Sequence, residues 1–201
     1  MEFEDKLKQW MELDYVPPED IPNIDLYMDQ ITTFLEEQLK NTKRYEEDKI
    51  FTKTMINNYS KNGLLPPSNK KKYSRNHMIL LIYIYYLKSF LSISDIKNFL
   101  KPLTDTFYNN PKNQISFFEI YKEIFQMEHN YNEPIRESIM ETFEKAQETF
   151  PELSDGKQKE LLQKFSFITL MGYDIYLRKQ VLEKMIDELY QDDETDKKKK
   201  K

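Results

Sequence analysis

The sequence predicts an all-α fold of two helical units, with strands confined to at most a small hairpin around residues 64–73. Three observations carry that reading. Apolar residues recur at three- and four-residue spacing across most of the chain, capping residues and prolines punctuate the pattern, and only 3 glycines occur in 201 residues. With so little glycine, neither GxGxxG nor GxxxxGK[ST] is present, which argues against nucleotide-binding α/β folds. The absence of cysteine excludes disulfide scaffolds, thiolate zinc sites and cysteine nucleophiles. His77 and His129 are the only histidines and neither sits in an HExxH pattern, so no enzyme activity, metal or cofactor is expected. The charged start MEFEDKLKQW lacks the order of a signal peptide and no stretch is long enough to span a bilayer, so a cytoplasmic protein is expected.

Taken in order, residues 1–21 form an acidic segment broken by prolines, in which Phe3, Leu7, Trp10 and Met11 suit a short amphipathic turn. A helix is expected from about Asn23 or Asp25 to Leu39, with Leu26, Ile31, Phe34, Leu35 and Leu39 along one stripe. Residues 41–49 read as a polar loop. Thr52 then caps a short helix holding Met55, Ile56 and Tyr59, which Gly63 ends as a C′ residue. After the basic stretch LLPPSNKKKY, Ser74 caps a helix that is apolar or tyrosine on every side from Met78 to Leu87, the expected centre of the core. SISD at 92–95 is a capping box for a further helix, which Pro102 should close. Residues 22–103 therefore read as one domain.

Beyond it, residues 104–190 stay helical in pattern. One helix carries Phe117, Ile120, Tyr121, Ile124 and Phe125; Pro134 suits the first position of another; FPELSDG at 150–156 breaks the run; and the spacing resumes from Lys157 to Tyr190 with a bend near Gly172. The aromatic set, including Phe165, Tyr173 and Tyr176, reads mainly as core, with a pocket for a small-molecule effector as the lesser reading. Glu133, Glu137, Glu141, Glu144 and Glu148 read as a solvated face. Residues 191–201 read as a disordered charged tail.

Charge distribution supplies the functional clue. The chain carries a net charge of −5, yet residues 40–101 hold 13 Lys/Arg against 4 Asp/Glu, and no acid occurs between Lys49 and Ser94. Such a local field attracts phosphate even on an acidic molecule. A short helix beside a basic loop suits duplex DNA, with Thr52, Lys53, Thr54, Asn57, Asn58 and Lys61 on the helix. Lys70, Lys71, Lys72, Tyr73 and Arg75 follow in or beside the loop.

The run from Met55 to Pro67, the KKY before Ser74 and the stretch from Leu91 to Ile96 resemble the winged helix-turn-helix of MerR-type regulators. Ile56 and Tyr59 fall on the ends of that family's helical quartet, Gly63–Pro67 on its glycine-to-proline run and Tyr73 on the aromatic that closes its wing. With DIPNIDLYMDQ added, the sequence resembles more closely the DUF1836 family of bacterial proteins. The resemblance implies a MerR-like winged helix-turn-helix domain with a small wing, followed by a C-terminal helical domain that forms a homodimer. It also implies a DNA-binding transcription regulator. Asn57 stands where the MerR pattern has a phosphate-contacting arginine, residues 40–51 lengthen the connection, and the wing has no glycine. These departures leave the scaffold intact and weaken the transfer of DNA contacts; a DNA-binding regulator is the preferred expectation, and the missing arginine at 57 favours the alternative, a helical protein-interaction adaptor that has lost DNA binding.

Overall fold

The computed structural model describes residues 3–12, 15–110 and 112–199, with side chains described through Tyr190. It is mostly helical, as the sequence predicts: seven α-helices and one two-stranded sheet among the described residues. The helices are α1 (Phe3–Met11), α2 (Met28–Leu39), α3 (Lys53–Lys61), α4 (Arg75–Leu87), α5 (Ile93–Phe107), α6 (Phe117–Gln147) and α7 (Gly156–Lys199); the strands are β1 (Leu26–Tyr27) and β2 (Lys72–Tyr73). None of the described helices is long and apolar enough to cross a membrane. The chain divides into two compact units, one made of 13–126 and 183–201 and the other of 1–12 and 127–182.

In the first of these units α4 is the central element. Met78 to Ile82 and Ile84 are all at most 1% exposed, because a helix apolar on every side must be surrounded. Around it pack Ile31, Leu35 and Leu39 of α2, Ile56 and Tyr59 of α3, Ile96 and Leu100 of α5, and Phe117 and Tyr121 of α6. The Tyr121 hydroxyl donates to the Val16 carbonyl at 2.6 Å and ties the segment before β1 to this core. Lys88 is structural: its ammonium donates to the Ile50 carbonyl at 3.0 Å and stands over the rings of Phe51 and Tyr85. Burial lowers its pKa.

Four boundaries differ from the sequence expectation. α2 starts at Met28, not near Asn23 or Asp25, because Leu26 and Tyr27 are extended and pair with Tyr73 and Lys72. Gln30 Oε1 accepts from the Tyr27 N–H at 2.9 Å and so caps the helix from within. The expected hairpin at 64–73 is replaced by this non-local pairing plus a single tight turn. Pro102 lies inside α5 and does not close it; the helix continues because Leu103 and Phe107 pack on the core and Tyr108 is buried beyond them. α7 runs on to Lys199, past the Tyr190 at which helical spacing ends, since a helix already formed needs no new nucleus to extend, even through Asp192, Asp193, Thr195 and Asp196. Residues 200 and 201 of the predicted tail lie outside the described residues.

In the second unit, α6 passes through Pro134 without a break, where the sequence suggests a new helix. Its later turns are packed: the Phe143 ring stacks on Phe3 at 3.9 Å and meets Phe167 edge-on at 5.5 Å, and Ala146 is fully buried. The turn between α6 and α7 falls at the predicted FPELSDG, with Phe150 at φ +56°. There the Gln163 amide donates to the Gln147 carbonyl, and Thr149 Oγ1 meets Ser166 Oγ at 3.4 Å, so α7 returns along α6. The other face of α7 is open: Leu161, Phe165, Ile168, Ile175 and Leu182 are 66%, 64%, 69%, 57% and 40% exposed. Phe165, Tyr173 and Tyr176, expected in a core, therefore stand on the outside of this unit, because α6 covers only one side of a helix whose stretch from Phe165 to Leu177 is apolar nearly all round.

Candidate nucleic-acid interface

α3 is fixed at both ends by local chemistry. Thr52 Oγ1 accepts from the Met55 N–H at 3.1 Å, as its capping position predicts. At the other end Gly63 adopts φ +67°, the Leu64 N–H donates to the Tyr59 carbonyl at 2.9 Å and the Gly63 N–H to the Ser60 carbonyl at 3.1 Å, a Schellman closure. Leu64 and Leu65 are then buried. With Ile56 and Tyr59 inward, Thr54, Asn57, Asn58 and Lys61 fall at i, i+3, i+4 and i+7 on the opposite face, and all four are exposed. No acid lies on α3.

The basic turn has a defined shape. Asn69 and Lys72 exchange both backbone hydrogen bonds at 3.0 and 2.9 Å, and Lys70 and Lys71 between them have φ of 49° and 64°. This is a two-residue turn with positive φ at both central positions, the geometry that normally takes Asn-Gly. Each of the two lysines costs about 1 kcal/mol or more in backbone strain there. Lys70→Asn with Lys71→Gly is therefore expected to raise stability by about 1 kcal/mol, read from the urea midpoint.

Two contacts place this turn beside the start of α3. Lys72 Nζ stands 5.2 Å from the centroid of the Tyr27 ring, and two residues along from Tyr27 the carboxylate of Asp29 pairs with Lys53. Lys53, Thr54, Asn57, Asn58, Lys61, Lys70 and Lys71 are exposed; Thr52 and Lys72 are half-buried. Tyr73 and Arg75 are placed otherwise than the sequence suggests. Tyr73 is 5% exposed, its strand alternation turning it to the core. The Arg75 guanidinium donates to the Ile21 carbonyl at 3.0 Å and lies over the Phe118 ring at 4.1 Å. Sequence reasoning missed Tyr27, which is 53% exposed beside the lysine turn. The only signal was an aromatic at the position where a helix was expected to be running.

Behind the turn sits His77, 5% exposed. Its Nδ1 accepts from the Ser74 N–H at 3.0 Å and from the Tyr108 hydroxyl at 2.6 Å, and its Nε2 donates to the Pro66 carbonyl at 3.2 Å. These partners fix the neutral Nε2–H tautomer and join the GLLPP segment, the start of α4 and the end of α5. Burial, opposed by the Pro66 and Pro67 carbonyls, lowers the His77 pKa, and burial raises that of Tyr108, which stays a donor. An unfolded histidine takes up a proton near pH 6.5 while the folded one does not, so its contribution is complete above that pH and is lost as pH falls below it. His77→Leu is expected to cost about 3 kcal/mol by orphaning its partners and to flatten the decline in urea midpoint between pH 7.5 and 5.5.

The fold and this surface define a small helical domain that presents an acid-free polar helix next to a lysine turn. The chain belongs to the DUF1836 family, a domain of unknown function whose model matches residues 16–125. That match coincides with the continuous stretch of the first unit. No curated protein and no solved structure matches the chain. Among the described residues no group of acidic and histidine side chains is arranged to hold a metal ion.

Proposed function

We propose that this protein is a sequence-specific double-stranded-DNA-binding transcription regulator with a MerR-like winged helix-turn-helix unit. The observation that carries the reading is the stripe Thr54, Asn57, Asn58 and Lys61, exposed on a helix whose other face is buried and which carries no acid. Nine residues of α3 span about 14 Å, enough to enter a major groove about 12 Å wide. Asparagine amides there suit adenine edges, while Lys61, Lys70 and Lys71 suit phosphates. Tyr73 and Arg75, turned inward, act as scaffold.

A homodimer through α7 completes the reading. Leu161, Phe165, Ile168, Gly172, Ile175 and Leu182 follow alternating spacing on the open face, and a two-fold axis between Met171 and Gly172 pairs Leu161 with Leu182 and Ile168 with Ile175. Nothing lies within 4 Å of where a Gly172 Cβ would stand, which leaves room for a close crossing.

Selection from randomised duplex DNA at moderate salt tests the proposal. An enriched palindrome is the expected result. No retention even at low salt would overturn it and favour the protein-interaction adaptor.

A further inference from the structure

We propose that Tyr27 is a DNA-backbone contact of the site described above, its ring against a deoxyribose and its hydroxyl donating to the adjoining phosphate; the inference rests on the DNA-binding reading. Leu26 is 7% exposed and pairs with Tyr73, so strand alternation sends Tyr27 outward with no choice of face. Its backbone N–H is already taken by Gln30, which leaves the phenol as the group this residue offers to a ligand. On one side the ring is met by the Lys72 ammonium at 5.2 Å, directly below the tip that carries Lys70 and Lys71. Two residues along the chain from Tyr27, Asp29 pairs with Lys53 at the first position of α3. Tyr27 thus touches the lysine turn through Lys72 and lies two residues from Asp29, the partner of Lys53 at the start of α3.

An exposed aromatic alone carries no meaning, since single ones are ordinary on protein surfaces. Here the chemistry of the neighbourhood selects the partner. An exposed phenol ring held beside the Lys72 ammonium, with Lys70 and Lys71 exposed at the tip of the same turn, matches a polymer that alternates an apolar sugar with an anionic phosphate. The cation on the ring also holds the ring in place, so less freedom is lost when DNA arrives.

The test uses the full chain and a duplex recovered by the selection, with Tyr27→Ala, Tyr27→Phe and Lys70→Ala/Lys71→Ala compared across a salt titration. Tyr27→Ala is expected to weaken binding about tenfold at every salt concentration with the slope of log K against log salt unchanged, because no cation is removed. Tyr27→Phe should lose about threefold, and the lysine pair should lower the slope. Hydroxyl-radical footprinting should show sugars protected by the wild type and reopened by Tyr27→Ala. As the residue is exposed, thermal melting should be the same for all three Tyr27 forms. Equal affinity and an equal footprint for Tyr27→Ala, with the wild type still binding, would overturn this inference alone. Absence of wild-type binding would overturn it together with the DNA-binding reading.

Discussion

Replacing Lys61, Lys70 and Lys71 together with alanine is expected to lower affinity for duplex DNA about a hundredfold at physiological salt and to reduce the salt slope by about 2.7. Each lysine that neutralises a phosphate releases roughly 0.9 of a counterion, so three contacts account for that slope. The three side chains are exposed and none of them supports the core, so stability should hold or rise. Positive φ at Lys70 and Lys71 sharpens the expectation: alanine relieves little of that strain, whereas Asn-Gly relieves most of it, and both pairs lose the charge. Binding should therefore follow charge and not stability. Filter-binding titrations between 50 and 300 mM salt, roughly the range over which such contacts are read, measure it. Unchanged affinity and slope would place the DNA, if any, on another surface.

Phe165→Lys with Ile168→Lys is expected to convert a dimer to a 24.5 kDa monomer in sedimentation. Both residues stand about two-thirds exposed on the open side of α7, where lysine costs the isolated unit little and the dimer much. Affinity for a palindrome should then fall by about a hundredfold or more, as linkage of two half-sites is lost, while affinity for one half-site stays. A wild type that already sediments as a monomer would refute the pairing.

How far the sequence reached depended on whether a feature was local. Thr52, Gly63 and the SISD box each satisfy backbone groups a few residues away, and each is found where the spacing places it. The central place of α4 was equally legible, since Met78 to Leu87 leaves no polar face to turn to solvent. Pro102 and Pro134 misled because their cost is set against packing by residues far along the chain. Of the candidate site, the α3 face followed from helical spacing, and all five of its residues from Lys53 to Lys61 are exposed. Tyr73, Arg75 and Tyr27 did not follow, because their directions are set by the pairing of β1 with β2 and by Ile21 and Phe118.

That pairing bears on the order in which the molecule assembles. Strands of two residues each have little stability of their own, and these two are separated in the chain by the whole of α2 and α3. The cost of closing so long a loop is met only once those helices have docked on α4, so the lysine turn acquires its fixed orientation among the last events of folding. It should also be among the first parts to open in the native state, with amide exchange at Lys72 and Tyr73 faster than in α4. A chain shortened to begin at Met28 would keep α2 and α3 in its sequence but leave β2 without the strand that holds it.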